Sequence, residues 1–198
     1  SSAASDVYKR QDMRDEEDMR QIFEDNKIDA VIHFAGLKAV GESVEKPLEY
    51  YENNISGTLS LLRVMREYHC NVIIFSSSAT VYGCNNEAPY VEEMPTSATN
   101  PYGYTKVMIE QILRDVCTAN PEFTAVALRY FNPIGAHISG LLGENPNGIP
   151  NNLVPYVAQV ALGKLDHVRV FGDDYDTPDG TGAVSYTHLR AHETTLHL

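Results

Sequence analysis

Three side chains in this 198-residue sequence have the types and spacing to move a proton together. Ser78 closes the apolar run NVIIFSS within SSSATVYG, and Tyr102 and Lys106 stand four residues apart in NPYGYTK. On a helix that spacing puts both on one face. A free phenol has a pKa of about 10, too high for a base at neutral pH. A nearby ammonium favours the phenolate, and bringing the phenol to about 7 takes roughly 4 kcal/mol of differential stabilisation. One lysine supplies only part of that. Ser78 is placed to orient a substrate hydroxyl or relay its proton. On spacing alone, Tyr102 and Lys106 can equally be a solvated helix start, with Ser78 capping a turn.

The elements that must hold these residues follow from the apolar pattern. DEEDMRQIFEDN (15–26) puts Met19, Ile22 and Phe23 on one helical face, with its acids in the solvated first turn. Pro47 opens a helix in which Leu48, Tyr51, Ile55, Leu59, Leu62 and Met65 recur at steps of three and four. The segment 101–119 reads as a helix with Met108, Ile109, Ile112, Leu113 and Val116 inward, and 152–163 as another. DAVIHFA (29–35), NVIIFSS (71–77) and FTAVALRY (123–130) read as buried strands, VRVF (168–171) as a short one, and 132–151 as a loop. Strands alternating with helices predict an α/β fold with a parallel sheet covered on both faces. In such sheets ligands bind beyond the carboxyl ends of the strands, where AGLK, SSSATVYG and YFNPIGAH converge.

The formal net charge of −12 argues against general binding to nucleic acid or anionic membrane. No stretch is apolar enough for a transmembrane helix. Cys70, Cys84 and Cys117 are odd in number and lack CxxC spacing, which disfavours structural disulfides and zinc and suits a reducing cytoplasm. Residues 1–11 and 183–198 have no apolar period and read as non-native tails. The interval 12–182 is expected to be a partial NAD-binding domain with the start of a substrate-binding region.

Five ordered segments carry a resemblance: HFAGLKAVGESVEKPLEYYENN, SSSATVYG, NPYGYTK, LRYFNPIGAH and GIPNNLVPY. Together they resemble the UDP-glucose 4-epimerases, a family within the extended short-chain dehydrogenase/reductase superfamily. The likeness runs from about Asp12 to Gly182. It implies a Rossmann-type doubly wound sheet, NAD as cofactor, a UDP-hexose substrate and a homodimer built on helices such as 47–69 and 101–119.

The resemblance also implies roles. Tyr102 is the base, Lys106 binds the nicotinamide ribose and acidifies the tyrosine, and Ser78 touches the substrate near O4. Asp12 and Met13 lie beside the adenine. Phe34, Ala35, Gly36, Leu37 and Lys38 line the dinucleotide with Asn53 and Phe131. Asn132, Asn152 and Leu153 contact the UDP-sugar, and Val170, Phe171 and Gly172 flank the uridine. The implied reaction stores the C4 hydride on NAD while tyrosinate takes the 4-OH proton. The 4-keto sugar turns over, and hydride returns to its other face.

Two departures from the family pattern matter. No GxxGxxG loop or first strand precedes residue 12, and the likeness stops at DGTG (179–182). The expectation is therefore a piece of such an enzyme, truncated at both ends, with weak NAD retention and no useful turnover. The nearest rival is a nucleotide-sugar 4,6-dehydratase, whose typical Asp-Glu pair after the strand serine or threonine is replaced here by Ala79 and Thr80. A non-catalytic nucleotide-binding module is the second rival.

Overall fold

Strand β2 (Val72–Ser78) turns Ile73, Phe75 and Ser77 fully inward and leaves the residues between them more accessible. It is the centre of a three-stranded parallel sheet ordered β1-β2-β3 in a computed structural model of the chain. The structure describes residues 12–87, 89–132, 139, 141, 149–150, 152–169, 174 and 180. Strand β1 (Val31–His33) pairs from Val31↔Ile73 to His33↔Phe75. Strand β3 (Thr124–Tyr130) pairs over its whole length, from Val72↔Thr124 to Ser78↔Tyr130. Because all three run the same way, residues 34–38, Ser78 and Tyr130 finish at one end of the sheet.

Helix α1 (Glu16–Asp25) starts where Asp15 accepts hydrogen bonds from the amides of Glu17 and Asp18, at 3.0 and 3.2 Å. Its inward Met19 is buried, and Arg20 bridges Glu67 at 2.8 Å. Short helices α2 (Val40–Glu45) and α3 (Pro47–Tyr51) lead through a π-helical turn (Glu52–Ser56) into α4 (Gly57–Glu67). Helix α5 (Pro101–Ala119) begins at Asn100, whose side chain accepts from the Gly103 amide at 2.8 Å, and Pro101 fills its first position. Met19, Leu61, Leu62, Val64, Met65, Ile73, Phe75, Ile109 and Leu113 form the core between these helices and the sheet.

Two predicted helical faces are different in the structure. The segment 47–67 is not one continuous helix, because the π turn holds an extra residue and rotates the faces on either side of it. Tyr50 is consequently buried and Leu48 is 77% exposed. On α5, Ile109 and Leu113 are inward as expected, but Met108 is outward. The inward arc is shared with Gly103, Thr105, Lys106 and Glu110, so polar residues occupy places assigned to apolar ones. The sheet is also less covered than expected: Ile32 on β1 is 60% exposed, and no residue of β3 is fully buried. Val168 and Arg169 are not in a strand, and 170–171 lie outside the described residues.

The chain divides into two compact units, Ser1–Tyr130 and Phe131–Leu198. The second contains α6 (Leu153–Ala161), with Pro155 in its first turn and Gly163 at φ 70° just past its end. Among the described residues no helix is long and apolar enough to cross a membrane, and no group of three metal-binding side chains occurs.

Candidate active site

Ser78 ends β2 in extended backbone, and its hydroxyl accepts from the Thr80 amide at 3.3 Å where the chain enters a 3-10 turn (Ala79–Val81). Tyr102 and Lys106 project from the first two turns of α5 towards the same strand end. The Lys106 Nζ lies 5.7 Å from the centroid of the Tyr102 ring, so the two groups share a face of the helix. The Ser78 hydroxyl stands close enough to the Tyr102 phenol to favour its ionised form. The structure thus brings the three proton-transfer candidates together.

Their electrostatics differ from the sequence expectation. Burial raises the Tyr102 phenol above its ordinary value, and the Ser78 hydroxyl only partly opposes this. Burial also lowers Lys106, to about 8. The lysine is 6% exposed, donates to the Ser76 carbonyl at 2.8 Å and sits 4.8 Å from the Phe75 ring centroid. Desolvation therefore works against charge on both groups. On this half-buried phenol burial is the largest influence, and the neighbouring lysine does not overcome it. Behind them His33 accepts or donates at 2.9 Å to Thr58 Oγ1, and burial, reinforced by the Lys106 charge, lowers its pKa to about 4.

The dinucleotide candidates gather around a side chain that the sequence reading missed. Asn54, 2% exposed, accepts from the Leu37 amide at 2.8 Å and donates to the Leu37 carbonyl at 2.9 Å. The same amide group donates to Thr105 Oγ1 at 3.1 Å, and Thr105 in turn donates to the Tyr102 carbonyl at 2.7 Å. Asn53 donates to Asn54 Oδ1 at 3.0 Å. One amide thereby ties the loop after β1 to the first turn of α5 from within the π turn. Phe34, Ala35, Gly36, Leu37 and Lys38 form an exposed run at the end of β1. A Cβ at Gly36 would come within 3.2 Å of Asn54 Oδ1, so glycine lets the loop lie against that amide. Asp12 is held by Arg14 Nη2 at 2.6 Å, and that hydrogen bond lowers its carboxyl to about 2. Met13 packs against Gly57.

Ala79 and Thr80 follow Ser78 in the 3-10 turn, and the Thr80 hydroxyl is buried with no hydrogen-bond partner. In the second unit, Phe131 and Asn132 are half-buried. Asn152 and Leu153 line a cavity of about 550 Å³ with Tyr156, Asp166, His167 and Arg169. Val170, Phe171 and Gly172 lie outside the described residues.

The geometry has close counterparts among known proteins. The sequence profile of the NAD dependent epimerase/dehydratase family matches residues 3–192. "UDP-glucose 4-epimerase 2" of Arabidopsis thaliana is 61% identical over 178 residues, which is 90% of this chain and 51% of that protein. "UDP-glucose 4-epimerase" of Bacillus subtilis (strain 168) is 60% identical over 178 residues, 90% of this chain and 52% of that protein. The crystal structure of UDP-glucose 4-epimerase from Bifidobacterium longum in complex with NAD+ and UDP superposes with a TM-score of 0.86. It is 64% identical and covers 90% of this chain and 53% of that one. The chain spans about half the length of the curated relatives it matches. With a parallel α/β sheet, a serine-tyrosine-lysine cluster at its carboxyl end and a family profile matched almost end to end, this chain belongs to the NAD dependent epimerase/dehydratase family.

Proposed function

We propose that this chain carries the proton-transfer centre of a UDP-glucose 4-epimerase, an NAD-dependent isomerase interconverting UDP-glucose and UDP-galactose. The observation that carries the reading is the Ser78–Tyr102–Lys106 cluster, held at one strand end in a chain 60% identical to such enzymes.

The residues present fit a dinucleotide. Lys106 spends one of its three N–H donors on Ser76, leaving two for ribose hydroxyls. The exposed 34–38 loop, braced by Asn54, offers backbone at Gly36 and a cation at Lys38. Asn53 and Phe131 complete this set, with Asp12 and Met13 towards the adenine. When bound, NAD would supply a reversible hydride acceptor and a positive charge that opposes the burial favouring protonated Tyr102. Tyr102 then takes the proton of the sugar 4-OH and later returns it, and Ser78 orients that hydroxyl. The buried Thr80 hydroxyl is available to a further substrate oxygen. Asn132, Asn152 and Leu153, with Val170, Phe171 and Gly172, serve the UDP-sugar.

The dehydratase alternative needs an acid/base pair after Ser78, which Ala79 and Thr80 do not supply. The family resemblance further implies a homodimer through helices such as 47–69 and 101–119, and the three free cysteines suit a reducing cytoplasm. The test is a hybrid in which residues 12–182 replace the matching part of the Bacillus subtilis relative. It is expected to interconvert the two UDP-hexoses with NAD bound, while the 198-residue chain alone shows no turnover. A hybrid that binds NAD yet releases a 4-keto-6-deoxy sugar, or no product, contradicts the reading.

A further inference from the structure

Three consecutive serines of β2 each face one residue of α5, and those residues are spaced one turn apart. The Ser76 carbonyl accepts from Lys106 Nζ at 2.8 Å. The Ser77 hydroxyl donates to Glu110 Oε1 at 2.6 Å. Ser78 faces Tyr102 closely enough to influence its ionisation. The first and third of these involve the proton-transfer groups. The middle one has no part in the chemistry, yet it is the most elaborately built.

Glu110 is 3% exposed and Ser77 is 3% exposed. Arg129, which pairs with Ser77 across the sheet, grips the same carboxylate through Nε at 3.1 Å and Nη2 at 2.8 Å. Arg114 adds a third donor side chain, at 3.1 Å to Oε2. Arg129 Nη1 also donates to the Glu92 carbonyl at 3.0 Å, and its guanidinium lies 5.0 Å from the Tyr82 ring centroid. A carboxylate this deeply buried is costly unless fully paired, and here it is paired on both oxygens. The network joins β2, β3 and α5 one residue along the strand from Ser78 and one helical turn beyond Lys106.

We propose that Glu110, fixed by Arg129 and read out through Ser77, is a positioning residue that sets the register of α5 against β2 and so holds Tyr102 on Ser78. It touches neither substrate nor cofactor. Sliding or rotation of α5 by a fraction of a residue would separate Tyr102 from Ser78 while leaving the fold intact. This rests on the proposed function for its effect on turnover, but the geometric part stands without it.

Two charge-conserving variants separate positioning from direct electrostatics. Ser77→Ala removes the middle contact, and Glu110→Asp keeps the charge but shortens the reach. Ser77→Thr keeps the hydroxyl. In the full 198-residue chain labelled with ¹³Cζ-tyrosine, the Tyr102 signal, identified by its loss in Tyr102→Phe, should titrate at higher pH in Ser77→Ala and Glu110→Asp. It should return towards the parent value in Ser77→Thr. In the hybrid enzyme the same two variants should lose kcat by about 10- to 100-fold with KM for the UDP-sugar unchanged, and Ser77→Thr should recover most of it. An unmoved Tyr102 titration alongside a lowered Tm assigns the network to stability alone and overturns the proposal. So does a fall confined to KM. A parent hybrid without turnover refutes the epimerase reading instead, and the titration in the chain still decides whether Glu110 positions Tyr102.

Discussion

Lys106 Nζ donates to the carbonyl oxygen of Ser76 at 2.8 Å and stands 5.7 Å from the centroid of the Tyr102 ring. The amine is fastened to the strand, beside the phenol but not bonded to it. Tyr102 lies instead beside Ser78, two residues further along the same strand. Phenol and amine thus both lie against β2, and burial disfavours charge on each.

The buried lysine should show in stability. Its pKa falls from 10.5 to about 8 in the folded chain because burial penalises the ammonium. Between those values the unfolded chain binds the extra proton, so this group makes stability rise with pH across that window. The gain is on the order of 3 kcal/mol at full titration. Urea unfolding of the parent and of Lys106→Met, compared at pH 7.5 and pH 10, should show the parent gaining relative to the variant. A constant difference would mean that Lys106 is hydrated.

His33 acts on the acid side. Burial first, and the Lys106 charge second, lower it from 6.5 to about 4. The neutral form is favoured by folding, so its contribution is present above pH 6.5 and is lost as pH falls through about 4. A ¹⁵N-imidazole spectrum at pH 5.5 should show His33 uncharged. Protonation of His33 at that pH would show that the pocket is wetter than its 4% exposure implies.

Asn54 should matter to both stability and cofactor retention. Asn54→Ala removes the partner of the Leu37 amide and carbonyl and one of the two bonds of the Thr105 hydroxyl, a loss of about 3 kcal/mol. Asn54→Asp preserves shape but presents an acceptor to the Leu37 carbonyl, and should be no better. In the hybrid enzyme both variants should release NAD more readily. Normal stability and normal NAD retention in Asn54→Ala would mean that the loop after β1 is held by something else.

Gly103 tests the packing of the helix that carries the site. A methyl group there would stand 2.9 Å from the Ala98 Cβ, too close without movement of the helix start. Gly103→Ala should cost about 1–3 kcal/mol and lower turnover through the displaced Tyr102. Gly41→Ala, with open space around it, should be near neutral and serves as the control in thermal unfolding.

Much of the site was legible locally. The strand ending at Ser78 and the helix beginning at Asn100–Pro101 follow from short-range pattern, and they place Ser78, Tyr102 and Lys106 on facing elements. The inward face of α5 was only half legible, because Lys106 and Glu110 occupy positions that periodicity assigns to apolar side chains. The π turn was not legible, since one extra residue in a turn leaves no mark on apolar spacing until the faces are seen. Asn54 escaped notice because its partners, Leu37 and Thr105, are 17 and 51 residues away in sequence. The sequence reading weighed the lysine's pull on Tyr102 but not the opposing effect of burial, which no spacing reveals.

The most direct measurement is turnover of the hybrid enzyme carrying Tyr102→Phe, with NAD content checked in the same sample. If Tyr102 is the base, kcat falls by about 10²- to 10⁴-fold while NAD stays bound. Turnover within a few-fold of the parent hybrid would show that another group moves the proton.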